Sequence, residues 1–228
     1  MTSKWYVTGA VCLMGASVGA LAQYLVTPIG EGDSAAAQVS AAAAHLTRMR
    51  WAVVLDLPIL LTIPALIYVG CLAGARTSRL AAIGTGMTFA VALGAAGYLL
   101  ALDPLLYAAA TQPDRAAATG VVSDYLGNGV VTAVVIAYLV GHVVGFILLG
   151  VALARTRTVP AWAAVAMGLW PLVEMAGAAG GTRWLAATGY GLLVVAFGAC
   201  AAALVRFDST RTLPAPAPPL TAATQSGS

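Results

Sequence analysis

Charge is scarce in this chain: eight acidic and eleven basic side chains are spread over 228 residues, 8% in all, where a soluble domain carries roughly 25%. So few charges cannot cover a water-facing surface. The basic residues form no stripe that could neutralise successive phosphates, so nucleic acid is not an expected partner. Cysteine is scarce too. Cys12, Cys71 and Cys200 each fall in an apolar run with no Cys-x-x-Cys spacing, which argues against a disulfide framework or a thiolate metal site and predicts three small buried packing residues. Of the two histidines, only His142 lies in an apolar run, so the pair of axial ligands a haem would want is missing. Metalloprotease, nucleophile-elbow and phosphate-loop signatures are absent, and Ser17 has no base in sequence reach.

What the chain does have is hydrophobic residues, 61% of the total, together with 25 glycines. Small residues of this kind let helices approach closely in lipid, where apolar expulsion offers no drive to associate. Six runs reach the ~20 residues that a bilayer crossing needs: Trp5 to Val26, Trp51 to Gly74, Leu80 to Leu102, Gly129 to Ala154, Val159 to Ala179 and Trp184 to Val205. Trp5, Tyr6, Trp51, Trp162 and Trp184 sit near their ends, at the depth where amphipathic rings prefer to lie. The expected fold is an all-α polytopic bundle over residues 1–212, embedded in a lipid bilayer, with short extracytoplasmic helical segments.

Orientation follows from the basic residues. With the amino terminus inside, cytoplasmic segments hold Lys4, Arg76, Arg79, Arg155, Arg157, Arg206 and Arg211, against Arg48, Arg50, Arg115 and Arg183 outside. Both termini are then cytoplasmic. The first run, with Lys4 before it and Ala20-Leu21-Ala22 near its end, has some features of a secretory signal, but its length suits a retained span better.

Several connections carry their own signals. Asp33 to Arg50 is alanine-rich with Ser34 as an N-cap, and predicts either an outward extension of the second span or a surface helix. Asp103-Pro104 reads as an N-cap followed by proline at the first helical position, and Pro113-Asp114 as the start of another short helix toward Leu126. These segments are either caps over the outer mouth of the bundle or surface loops. Residues 213–228, rich in proline and alanine, predict a disordered cytoplasmic tail. A faint echo links Gly70 to Arg79 with Gly150 to Arg157, each a helix end followed by a basic turn; internal repetition and convergence on a common hairpin explain it equally well.

Ionisable groups inside apolar spans are the default functional candidates, because each costs about 2.5 to 3.5 kcal/mol near a helix centre on insertion scales. Here they are Asp56, His142 and Glu174. Asp56 precedes Pro58 and Pro64, so its helix should bend or open. Glu174 follows Pro171 on a face shared with Met167, Gly177, Ala178 and Gly181, which suits a close neighbour. Counting rise per residue sets both acids ~8 to 9 Å below the outer hydrocarbon surface. A shared solute or ion site is one reading of that level; anchoring to Arg48, Arg50, Arg183 or backbone amides is the other. His142 has Tyr138 one turn before it and lies between Gly141 and Gly145, as expected for a histidine hydrogen-bonded across a helix interface. Asp56, Glu174, His142 and Tyr138 are thus the ligand-binding candidates, with no catalytic or metal-binding set and no cofactor indicated.

From Gly141-His142-Val-Val-Gly145 through the basic turn Arg155-Thr-Arg157 to Val159-Pro160-Ala-Trp162, the chain resembles an actinobacterial family of six-span integral membrane proteins of uncharacterised activity. That resemblance implies the bundle fold and a bacterial plasma-membrane location, and carries over no catalytic residue. The leading expectation for function is a non-enzymatic accessory or interaction component, with a membrane-protein partner or a second copy of itself. A small-solute or cation transporter using the intramembrane carboxylates is the alternative, followed by an intramembrane enzyme with His142 as proton carrier.

Overall fold

The computed structural model describes residues 3–30, 33–74 and 78–211. Arg76, which entered the reading of orientation, and the tail read at 213–228 lie outside the described residues. All regular structure among those described is helical: α1 (Ser3–Val26), α2 (Ala35–Ala44), α3 (Leu46–Ile59), α4 (Thr62–Leu72), α5 (Arg79–Thr111), α6 (Arg115–Leu126), α7 (Gly129–Thr156), α8 (Ala161–Ala179) and α9 (Arg183–Arg211). Five stretches are long and apolar enough to cross a membrane: Lys4–Val26, Leu46–Leu72 (α3 with α4), Gly129–Thr156, Ala161–Ala179 and Arg183–Arg206. The remaining expected run, Leu80 to Leu102, lies within the continuous helix α5.

The helices pack as antiparallel neighbours through small residues. A side chain at Gly9, Gly15 or Gly19 of α1 would strike Tyr68, Leu61 or Pro58 respectively. Gly84 and Gly145 bring α5 onto α7, Gly150 brings α7 onto α8, and Gly177 and Gly189 bring α8 onto α9. Close backbone approach of this kind is the packing mode that a glycine- and alanine-rich apolar sequence favours. The first and last helices are also neighbours, with Tyr24 stacked on Tyr190 at 4.9 Å.

Prolines act in three different ways. Pro58 lies in the last turn of α3, the chain turns at Leu60 and Leu61, and α4 restarts at Thr62 with Pro64 in its first turn, where a missing amide costs nothing. The second span is therefore broken, as its prolines require. Pro171 sits inside an unbroken α8. Pro104 corrects an expectation: Asp103 is no N-cap, because α5 runs through Pro104 to Thr111. One backbone bond is lost there, but Leu102, Leu106, Ala109 and Ala110 on either side are buried together with Val39, Met49 and Val122, and this tertiary packing outweighs the local break.

That cluster seals one end of the bundle with α2, α6 and the last turns of α5. The Ser34 and Asp114 caps appear as expected, accepting from the amides of Ala37 and Ala117 at 3.3 and 3.0 Å. α2 is a separate helix rather than an extension of α3, since the backbone leaves helical geometry at His45. At the opposite end the two basic turns meet: Thr156 and Thr158 donate their hydroxyls to the Leu72 carbonyl at 3.4 and 3.1 Å. Each turn contains a left-handed residue, Gly74 at φ 77 and Arg157 at φ 53. Cys12 and Cys200 are buried as expected, whereas Cys71 is exposed, because it sits on the outward face of α4 between the buried pair Gly70 and Leu72.

Candidate functional site

The sequence candidates divide between two neighbourhoods. Glu174 lies where α8 meets α9 closely; a Cβ at Gly189 would come within 2.6 Å of the Glu174 amide nitrogen. Its Oε2 is 3.9 Å from His142 Nε2 on α7. His142 is enclosed by rings, with Trp170 edge-on at 4.4 Å, Tyr138 at 5.0 Å and Phe146 at 5.4 Å. Tyr138, His142 and Glu174 are thereby brought together.

Asp56 has a different partner. It is buried on α3, and the carboxyl group within electrostatic reach of it is that of Asp103 on α5, also buried. Asp103 Oδ2 also accepts from Gln23 Nε2 of α1 at 3.0 Å. Two of the three arginines proposed as anchors are engaged elsewhere. Arg48 Nε donates to the Val26 carbonyl at 3.0 Å, and Arg183 donates to the Tyr24 carbonyl at 2.8 Å, so both hold the carboxyl end of α1. A helix C-terminus carries partial negative charge and unpaired carbonyls, and two guanidinium groups satisfy both.

Between these neighbourhoods lies a cavity of about 360 Å³. It begins under the capped end at Thr27, Ile29, Gly30 and Gln38, passes Gln23 and Asp103, and continues to Tyr138, His142 and Trp170. Among the described residues, seven Phe, Tyr and Trp side chains line it, with Asp103 as the one carboxyl group and no lysine or arginine. Three lining residues present buried polar atoms that have no hydrogen-bond partner: Gln38 Oε1, His142 Nε2 and Trp170 Nε1. Buried polar atoms are nearly always paired, so an acceptor and an indole N–H facing one enclosed space are what a bound polar molecule would use.

No family model, curated protein or solved structure matches the chain. The site therefore rests on its own geometry.

Asp103, Gln23 and Trp170 escaped the sequence reading. Asp103 resembles a cap because Pro104 follows it, and Gln23 is masked by the apolar run around it. A usable signal is present: Gln23 lies one turn before the end of one apolar run and Asp103 one residue past the end of another, and both runs are read in the same direction.

Proposed function

We propose that the protein is a six-span plasma-membrane protein, with its capped end outside and both termini in the cytoplasm, that binds a small organic cation in the central cavity and moves it across the membrane. The observation that carries this reading is the lining formed by the described residues: aromatic faces, one carboxyl group and no lysine or arginine. Aromatic rings attract a cation through their negative faces, increasingly so out of water, and a carboxylate supplies the counter-charge. The volume falls in the ~300–1,000 Å³ range of small-molecule sites. Membrane insertion is supported by the apolar stretches and by exposed Val11, Leu57, Ile83, Leu93, Val140 and Val165 on different helices, a surface that water would not tolerate over so wide an area. α5 supplies the sixth span, and the arginine bias between alternate connections sets the orientation.

The test is binding of tetraethylammonium to the full chain in mild detergent, read by tryptophan fluorescence, followed by uptake into proteoliposomes. Asp103→Asn should weaken binding about tenfold to a hundredfold, the value of a charge-assisted contact. No binding by the wild type, or equal binding by the variant, would remove the reading. If native mass spectrometry instead finds a stable protein partner and no ligand, the accessory role takes its place. The His142 and Glu174 contact favours an intramembrane enzyme to one extent only: it could pass a proton, and a probe recovered chemically altered would bring that reading forward.

A further inference from the structure

Asp56 is 1% exposed, and among the described residues no hydrogen-bond donor reaches either of its carboxyl oxygens. Beside it lies the Asp103 carboxyl, itself 5% exposed, which accepts a hydrogen bond from the Gln23 amide. An ionised carboxylate offers only acceptors, so two facing carboxyl groups can hydrogen-bond one another only when one of them carries a proton. Full charge on both, away from water, would be opposed by mutual repulsion and by desolvation alike.

Among the described residues, no lysine or arginine lines the cavity beside Asp103 to relieve that repulsion. α1 contributes the neutral Gln23. α2 contains no ionisable side chain. α5 adds Tyr98, which is within electrostatic reach of Asp103 and is neutral in its ordinary form. On α3 itself Arg48 is turned to the end of α1, as is Arg183 of α9. Of the two acids, Asp103 lines the cavity, together with its partner Gln23.

We propose that Asp56 and Asp103 form a one-proton site coupled to the cavity: a single proton bridges the two carboxyl groups until an organic cation arrives, which displaces it. The carboxyl O–H bond breaks, its electron pair remains on the carboxylate, and the proton leaves through the cavity to water at the capped end. One positive charge enters the site and one leaves. The pair then carries two negative charges with the bound cation beside them. This deepens the organic-cation reading and rests on it for the displacing ligand, whereas the bridging proton has a test of its own.

Two measurements on the full chain in detergent decide the matter. Infrared spectroscopy should show the carbonyl stretch of one protonated carboxyl group at neutral pH, lost in Asp56→Asn and lost again when tetraethylammonium is added to the wild type. A weakly buffered solution containing a pH dye should report one proton released per tetraethylammonium bound, and wild-type affinity should rise tenfold per pH unit. Asp56→Asn should bind with no proton release and a flat pH dependence, because Asp103 is then ionised beforehand. Should that variant fail to fold, the ligand-induced loss of the wild-type band and the proton count decide alone. Binding without proton release overturns the coupling while leaving the cation reading intact. Absence of the protonated band, or its appearance only when sodium is withdrawn, overturns the proton site itself; the latter result would assign the pair to sodium. Failure of tetraethylammonium to bind removes the cation reading and the coupling together, and leaves the infrared band to judge the pair.

Discussion

A single methyl group separates tolerated from intolerable change at several positions in this bundle. Gly177 is one: a Cβ there would fall on the backbone of Ala186, which has no flexible side chain to move aside. Gly177→Ala should cost about 1–3 kcal/mol, as overpacking does, and lower the melting temperature in detergent. Gly191 has nothing within 4 Å of the same point, so Gly191→Ala should leave that temperature unchanged or slightly raised. Trp170 gives a complementary contrast. Its ring packs edge-on against His142 and Phe146, yet its N–H has no partner. Trp170→Phe keeps most of the packing and discards the unmet donor, so stability should change by less than about 1 kcal/mol, whereas Trp170→Ala should lose about 3–5 kcal/mol. Chemical denaturation of both variants separates these outcomes. At this scale the sequence was informative about cost and silent about company: Asp56, His142 and Glu174 stood out as expensive, but rise along a helix gives a level and says nothing of which neighbour occupies it. Hence Asp56 meets Asp103, and Glu174 meets His142.

Helix ends and breaks were the most legible features, because they depend on local chemistry. Ser34 and Asp114 cap as their types dictate, and Pro58 with Pro64 opens the second span. Pro104 did not behave so, since burial on both sides held α5 together. The end of α1 was not legible at all. Its carbonyls are met by Arg48, 22 residues away from Val26, and by Arg183, 159 residues away from Tyr24, and no local pattern announces such partners. The two arginines share the Leu25 and Thr27 carbonyls. Arg48→Met and Arg183→Met should therefore each cost about 1.5–3 kcal/mol at most, while the double variant should cost more than the sum, because either arginine alone still covers the shared acceptors. Strict additivity in a double-mutant cycle would show that the two act separately.

For the molecule as a whole, the apolar runs gave the all-helical architecture, five of them as helical stretches long enough to cross a membrane, but the order of helices around the bundle had to come from packing. The proposed orientation is open to direct measurement. In a variant lacking Cys12, Cys71 and Cys200, a cysteine at Ser34 should react with an impermeant reagent in intact cells, and one at Ser226 should be protected until the membrane is opened. The reverse pattern would invert the bundle and move the cavity mouth to the cytoplasm.

The pairing of α1 with α9 also bears on how the bundle is assembled. Tyr190, which stacks on Tyr24, and Arg183, which covers the last carbonyls of α1, both come from α9. Until α9 has been synthesised, α1 therefore has one flank and part of its carboxyl end unmatched. Assembly of the bundle thus closes as a ring, and a chain stopped after α8 would leave an incompletely sealed intermediate, the kind of exposed species on which quality control acts.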